Sequence, residues 1–135
     1  MTYPGGRALP ADNLPASLLL PMGRFGPAFL AYDNFQVYLK WNNSLVYSTT
    51  AAYYATRIAG APAVARSNGP VPKVSAEEIA EIQRLLVRAG YDVGAIDGKI
   101  GIATRAAIKK MQVKFGLPAD SYPSPELLAR LRAGR

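Results

Sequence analysis

Side chains able to do metal, nucleophilic or acid–base chemistry are scarce in this sequence. It holds no histidine and no cysteine, so neither an ordinary zinc site nor a Ser-His-Asp triad can be built. Proton transfer is left to carboxyls, and general acid–base work needs one held in a cleft with a raised pKa. The glutamates are Glu77, Glu78, Glu81 and Glu126. All four fall in the first turns of expected helices, where capping, the helix dipole and solvation account for an acidic residue. The first half of the chain offers only Asp12 and Asp33. Gly23-Arg24-Phe25-Gly26 is a lone Gly-x-x-Gly, followed by no helix start with a suitably placed Lys, and is read as structural and not as a phosphate cradle.

Binding has better material. Asp97-Gly98 is a turn signal, because Asp tolerates and Gly favours positive φ. Gly101 is a second conformational hinge, and Ile108, Met111 and Phe115 then recur at helical spacing. So short a helix must dock on partners, and the flanking sequence supplies two. Before it, Ser75 with Glu78 makes a capping box, Ile79, Ile82, Leu85, Leu86 and Ala89 mark one face, and Gly90 sits at the C-terminal cap. After it, Ser124-Pro125-Glu126 opens a helix carrying Leu127, Leu128 and Leu131. Three short helices around one small core are expected. A shift of 23 residues lays Asp97 on Asp120, Ala106 on Ala129 and Ile108 on Leu131, a faint internal repeat.

The earlier part of the chain is less regular. Residues 1–17 are rich in Pro, Gly and small residues and read as irregular; Leu18-Leu19-Leu20 is a short apolar segment stopped by Pro21. A helix is expected over Asp33–Lys40, broken by Asn42-Asn43. Ser44 caps the next, from about Leu45 to Ala59, whose periodic face is Tyr47, Ala51, Tyr54, Ala55 and Ile58. Gly60 to Lys73 reads as a linker.

The length of 135 residues allows one modest domain or two small ones. No run approaches the roughly 18 apolar residues of a spanning helix, and residues 1–15 lack the pattern of a signal peptide, so an export signal is expected upstream. The net charge of +7 divides into +4 before Val74 and +3 from there on. The basic balance fits either a solvated surface or attraction to a polyanion: peptidoglycan, anionic lipid or nucleic acid.

Gln83…Leu86…Gly90-Tyr91, Ile96-Asp97-Gly98, Gly101, Thr104-Arg105-Ala106-Ala107-Ile108, Met111-Gln112, Gly116-Leu117 and Leu131 resemble the small three-helix peptidoglycan-binding domain of type 1, over roughly Ser75 to Arg132. Asp120-Ser121-Tyr122-Pro123-Ser124-Pro125 departs from that family's Asp-Gly and following Thr in the second copy. Leu20-Pro21, Gly23, Gly26-Pro27-Ala28-Phe29-Leu30, Asn34-Phe35, Leu39, Trp41-Asn42-Asn43-Ser44, Tyr47 and Ala59-Gly60 look like the closing part of the catalytic domain of membrane-bound lytic murein transglycosylases of the B type. These two resemblances stand in the order in which that family carries them.

The resemblances imply an all-α chain. Residues 1–60 would be a catalytic-domain remnant of two or three helices, 61–74 a linker, and 75–135 a three-helix peptidoglycan-binding module. The parent reaction cleaves the MurNAc–GlcNAc bond to a 1,6-anhydro product with one Glu as acid and base. No residue here matches that Glu, so it would lie upstream of Met1 and this piece would be inactive alone.

Asn42 and Tyr47 match glycan-cleft residues of the family, whereas Trp41 stands where it has Tyr. In the module, Tyr91, Asp97, Lys99, Ile100, Thr104 and Arg105 are the candidate groove residues, Lys99 and Arg105 pairing with peptide carboxylates. Plainer roles stay open: Tyr91 in the core, Asp97 in the turn, Thr104 at a helix start. No cofactor or metal is called for. The expected partners are peptidoglycan glycan strands and peptide stems, in the periplasm or cell envelope of a Gram-negative bacterium. The remnant's apolar face could pack on the module, pair with a second copy, or stay loosely ordered. The alternative is a small basic helical DNA-binding protein presenting Arg105, Lys109 and Lys110.

Overall fold

The computed structural model describes residues 8–9, 11–64 and 69–134. Residues 1–7 and 10 of the stretch expected to be irregular, and 65–68 of the expected linker, lie outside the described residues. Among the described residues the architecture is all-α in class: five helices and one small two-stranded sheet.

The sheet is the first departure from the sequence reading. β1 (Ala16–Leu19) pairs antiparallel with β2 (Phe29–Tyr32), Ala16 opposite Tyr32 and Leu19 opposite Phe29. Four-residue strands are too short to show a period, so the residues read as an apolar segment and its irregular approach become a hairpin only through pairing. The connecting loop folds on itself at its glycines, with Gly23 N–H donating to the Leu20 carbonyl and Gly26 N–H to that of Gly23.

α1 (Phe35–Trp41) buries Phe35 and ends where Asn42 turns extended. α2 (Leu45–Ile58) starts at Ser44, whose side chain accepts the Tyr47 N–H at 3.3 Å. Its orientation corrects the periodic reading. Tyr47, Tyr54 and Ile58 face outward, while Ser48 and Thr49 are buried. Ser48 Oγ lies 3.1 and 2.9 Å from the Tyr38 and Asn42 carbonyls, so the small hydroxyl residues close α2 onto the end of α1. Tyr53 alone of the helix's tyrosines turns to the hairpin, edge-on to Phe29 at 6.0 Å.

α3 (Ala76–Arg88), α4 (Ile102–Lys114) and α5 (Pro125–Ala133) form the three-helix unit. Both expected caps are present: the reciprocal Ser75–Glu78 box, and Ser124 Oγ accepting the Leu127 N–H at 3.1 Å. Ile82, Leu86, Ile108, Met111, Leu127, Leu128 and Leu131 meet in the core, joined by Val93 and Ala107. Leu85 and Phe115 pack at its edge, whereas Ala89 is exposed at the α3 cap. Arg132 of α5 grips Glu81 of α3 through two bonds of 2.8 and 2.7 Å.

The two halves meet through the hairpin loop. Arg24 N–H donates to Asp120 Oδ2 at 3.0 Å, and Arg105 Nη2 donates to the Pro21 carbonyl at 2.6 Å. Gly23 has φ +70°, and a Cβ added there would come within 2.8 Å of Tyr122 Cβ and 2.9 Å of Asp120 Oδ2.

Gly23→Ala is therefore expected to detach the loop while the three helices persist. Limited proteolysis should cut within residues 20–28 far faster, with helical circular dichroism nearly unchanged. Leu86→Ala, truncating a fully buried side chain, should cost about 3 kcal/mol in urea unfolding.

Candidate functional site

Between the two halves runs a groove of about 1220 Å³. One wall is Pro21, Met22, Asn42, Asn43, Ser44 and Val46; the other runs from Val93 through the Asp97 turn to Ala106. The turn owes its shape to a glutamine. Gln83 of α3 is fully buried among Ile82 and Leu86. Its Oε1 accepts the N–H groups of Asp97 and Gly98 at 3.1 and 2.9 Å. Its Nε2 donates to the Ala95 and Lys99 carbonyls, both at 3.0 Å, with Thr104 Oγ1 at 3.2 Å and Asp97 Oδ1 at 3.4 Å. Asp97 Oδ1 also accepts the Lys99 N–H at 2.9 Å. Gly98 (φ +71°) has no room for a side chain, since a Cβ would stand 2.6 Å from the Ala76 carbonyl.

A second turn repeats this pattern. Gln112 of α4 is buried; its Oε1 accepts the Ser121 N–H at 2.9 Å, and its Nε2 donates to Asp120 Oδ1 at 2.8 Å and the Tyr122 carbonyl at 3.0 Å. Asp120 Oδ1 accepts the Tyr122 N–H at 3.1 Å. Ser121, at φ +61°, takes the place of Gly98. The 23-residue shift thus relates two turns of one geometry, despite the missing glycine. The sequence reading assigned neither glutamine a role; the available signal was a polar side chain set among the apolar positions of each helix.

The candidate residues divide into groups. Asn42, Asp97, Lys99, Ile100, Thr104 and Arg105 all line the groove. Asp97 and Lys99 are exposed and Ile100 is half-buried. Thr104 is buried, its hydroxyl donating to the Val93 carbonyl at 2.9 Å. Asn42 caps α1 and its Oδ1 accepts the Ser44 N–H at 2.9 Å. Trp41 and Tyr47 lie outside the groove's lining, ring against ring at 5.6 Å and widely exposed. Tyr91 lies half-buried against the helical core. Arg105 is only 5 % exposed, which removes it from the open basic face drawn for the DNA-binding reading. Its Nε and Nη1 have no hydrogen-bond partner among the described residues. Burial lowers its pKa, against the opposing pull of Tyr122 and Asp120.

The electrostatics suit binding better than proton transfer. The Lys99 N–H, and after it Gln83, hold the Asp97 carboxyl below its usual range. Glu77 is lowered by its own backbone N–H and by Ser75, and Glu81 by Arg132. These carboxylates accept hydrogen bonds at neutral pH and are not poised to donate a proton. Among the described residues no three acidic side chains group to hold a metal ion, and no helix is long and apolar enough to cross a membrane.

Comparison with known proteins divides the chain in the same way. Residues 1–56 match the transglycosylase SLT domain, and residues 75–131 match the putative peptidoglycan binding domain. Two crystal structures of SltB3 from Pseudomonas aeruginosa are similar. One, in complex with NAG-anhNAM-pentapeptide, is 45% identical with a TM-score of 0.69, over 95% of this chain and 35% of that one. The other, in complex with NAG-NAM-pentapeptide, is 43% identical with a TM-score of 0.72, over 97% of this chain and 36% of that one. The chain thus spans about a third of the length of these relatives. No curated protein matches it.

Two outcomes test the Gln83–Asp97 geometry. Gln83→Leu would strand two turn N–H groups and two carbonyls, and should cost more than about 2 kcal/mol in urea unfolding. Because the folded pKa of Asp97 is lowered, its contribution is complete above the ordinary carboxylate pKa and is lost as pH falls through the folded value. The Lys99 amide resonance should therefore titrate with a midpoint below that of an ordinary aspartate; an ordinary or raised midpoint would contradict the N–H contact.

Proposed function

We propose, for a chain that belongs to the SLT-domain lytic transglycosylases and carries a peptidoglycan-binding domain, that its groove holds peptidoglycan for that reaction. The observation carrying this reading is that candidate residues from both matched segments, Asn42 on one side and Asp97, Lys99 and Ile100 on the other, line one open groove. The relatives' complexes contain a glycan disaccharide unit and a pentapeptide, the two chemistries such a groove would serve. The exposed Trp41–Tyr47 pair offers aromatic faces to sugar rings, beside the groove wall that Asn42 helps to form. Asp97, Lys99 and Ile100 offer an acceptor, a cation and an apolar contact to the peptide. Tyr91, Thr104 and Arg105 act from within by holding the groove's shape. The chain is proposed to bind the wall polymer, with cleavage of the MurNAc–GlcNAc bond as the reaction of the whole enzyme. Its place of action would be the cell envelope, on the periplasmic side of a Gram-negative cell.

Co-sedimentation of the whole chain with purified sacculi tests the proposal. A chain of net charge +7 would be held by charge alone at low salt. At about 1 M salt the Debye length shrinks to about 3 Å, so a shaped groove should still retain the protein and simple attraction should not. Lys99→Ala is the informative variant, because Arg105→Ala would also release the hairpin loop. A severalfold loss of retention at high salt is expected. Retention unchanged by Lys99→Ala, or no retention of the parent chain at high salt, would overturn the reading.

A further inference from the structure

A second cavity, of about 370 Å³, shares only Ile102 and Arg105 with the groove. Its apolar wall comes from both halves of the chain: Leu18 and Leu19 of β1, Leu39 of α1 and Leu45 of α2, with Ile102 of α4. None of these five side chains is buried, and Leu18 is 49 % exposed. Large aliphatic side chains gathered at water around one hollow mark a surface that something else covers. The size and character fit a small molecule, since such sites run to about 300–1,000 Å³ with mostly apolar walls and a few polar groups.

The polar groups here carry positive charge. Arg105 is buried, and its Nε and Nη1 have no hydrogen-bond partner among the described residues. Its Nη2 donates to a neutral group, the Pro21 carbonyl. Lys109, exposed and also lining the cavity, stands one turn further along α4 on the same side of the helix. Among the described residues the only ion pair is Arg132–Glu81, so neither cation has a carboxylate in contact. Asp120 lies on the same wall, but its oxygens are already engaged. Oδ1 accepts from Gln112 Nε2 and the Tyr122 N–H, and Oδ2 from the Arg24 N–H. A buried cation with no counter-charge in contact attracts an anion more strongly than it would in water, because less solvent screens it.

We propose that this cavity is a second binding site, for a single-chain aliphatic anion, with its head group at Arg105 and Lys109 and its chain along the leucines. The charge selects an anion, and the leucine wall selects one that carries a chain. Because the walls come from both halves and Arg105 also lines the groove, an occupant fastens the hairpin to α4. The site does not depend on what the groove holds.

The test is an NMR titration of the whole chain with octanoate and with octyl phosphate, which separate the two head groups these cations could take. The amides of Arg105, Lys109 and Ser121 and the methyls of Leu19, Leu39 and Leu45 should shift saturably, and the tighter ligand identifies the head group. Acetate, which lacks the chain, should bind roughly tenfold or more weakly, and so should octylammonium, which has the wrong charge. Lys109→Ala, at an exposed position, should keep the fold by circular dichroism and weaken binding severalfold; Leu18→Gln should do the same through the apolar wall. A saturating anion should also slow proteolysis within residues 20–28. Octylammonium binding as tightly as the anions, shifts confined to the Asp97 turn, unchanged affinity in both variants, or no binding of either anion would each overturn the proposal.

Discussion

The buried amide of Gln83 is the constraint on which the groove depends. A tight turn leaves backbone N–H and C=O groups that neither helix nor strand can pair, and water cannot reach those against the core. A glutamine side chain carries an acceptor and two donors on one plane. Placed in the middle of α3 it satisfies both sides of the turn at once. Each such bond contributes modestly, about 1 kcal/mol net, but leaving the partners unmade costs more than making them gains. The turn therefore has one shape, and Asp97, Lys99 and Ile100 inherit their positions from it.

The same device appears again under Gln112, and the two copies have been put to different uses. Gly98 lies against the Ala76 carbonyl and can carry no side chain. Ser121 accepts the left-handed conformation instead, a strain of order 1 kcal/mol for a non-glycine residue. The second turn receives the hairpin loop through Asp120 and Tyr122, and in doing so fixes the N-terminal half against the helices. The first turn keeps its outer face open to the groove. Divergence within the repeat separates a turn closed by the chain's own loop from one left open.

Arg105 ties these parts together at a cost. Its guanidinium reaches from α4 to the Pro21 carbonyl, yet two of its nitrogens have no partner among the described residues, and burying a cation costs desolvation that one bond does not fully offset. Its position between the groove and the hairpin couples the two halves. In the N-terminal half Val37, Trp41, Tyr47, Tyr54 and Ile58 are left exposed, while Ser48 and Thr49 take the inner side of α2.

What the sequence alone determined is what depends on near neighbours. The Ser75–Glu78 box, the Ser124-Pro125 start and the apolar stripes of α3, α4 and α5 follow from contacts within a turn or two of helix, and they were legible with the helical class. So was the Asp97-Gly98 turn, since its chemistry is local. The tertiary structure decided the rest. Four-residue strands become a hairpin only when each finds its partner. The periodicity of α2 marked a face without saying which way it turned, and that depended on how closely Ser48 allowed α1 to approach. Arg105 read as a free cation because nothing in its own segment announces the Pro21 carbonyl, 84 residues away in sequence. The glutamines were visible as polar residues on apolar stripes, but their function lies in groups that only the folded chain brings within reach.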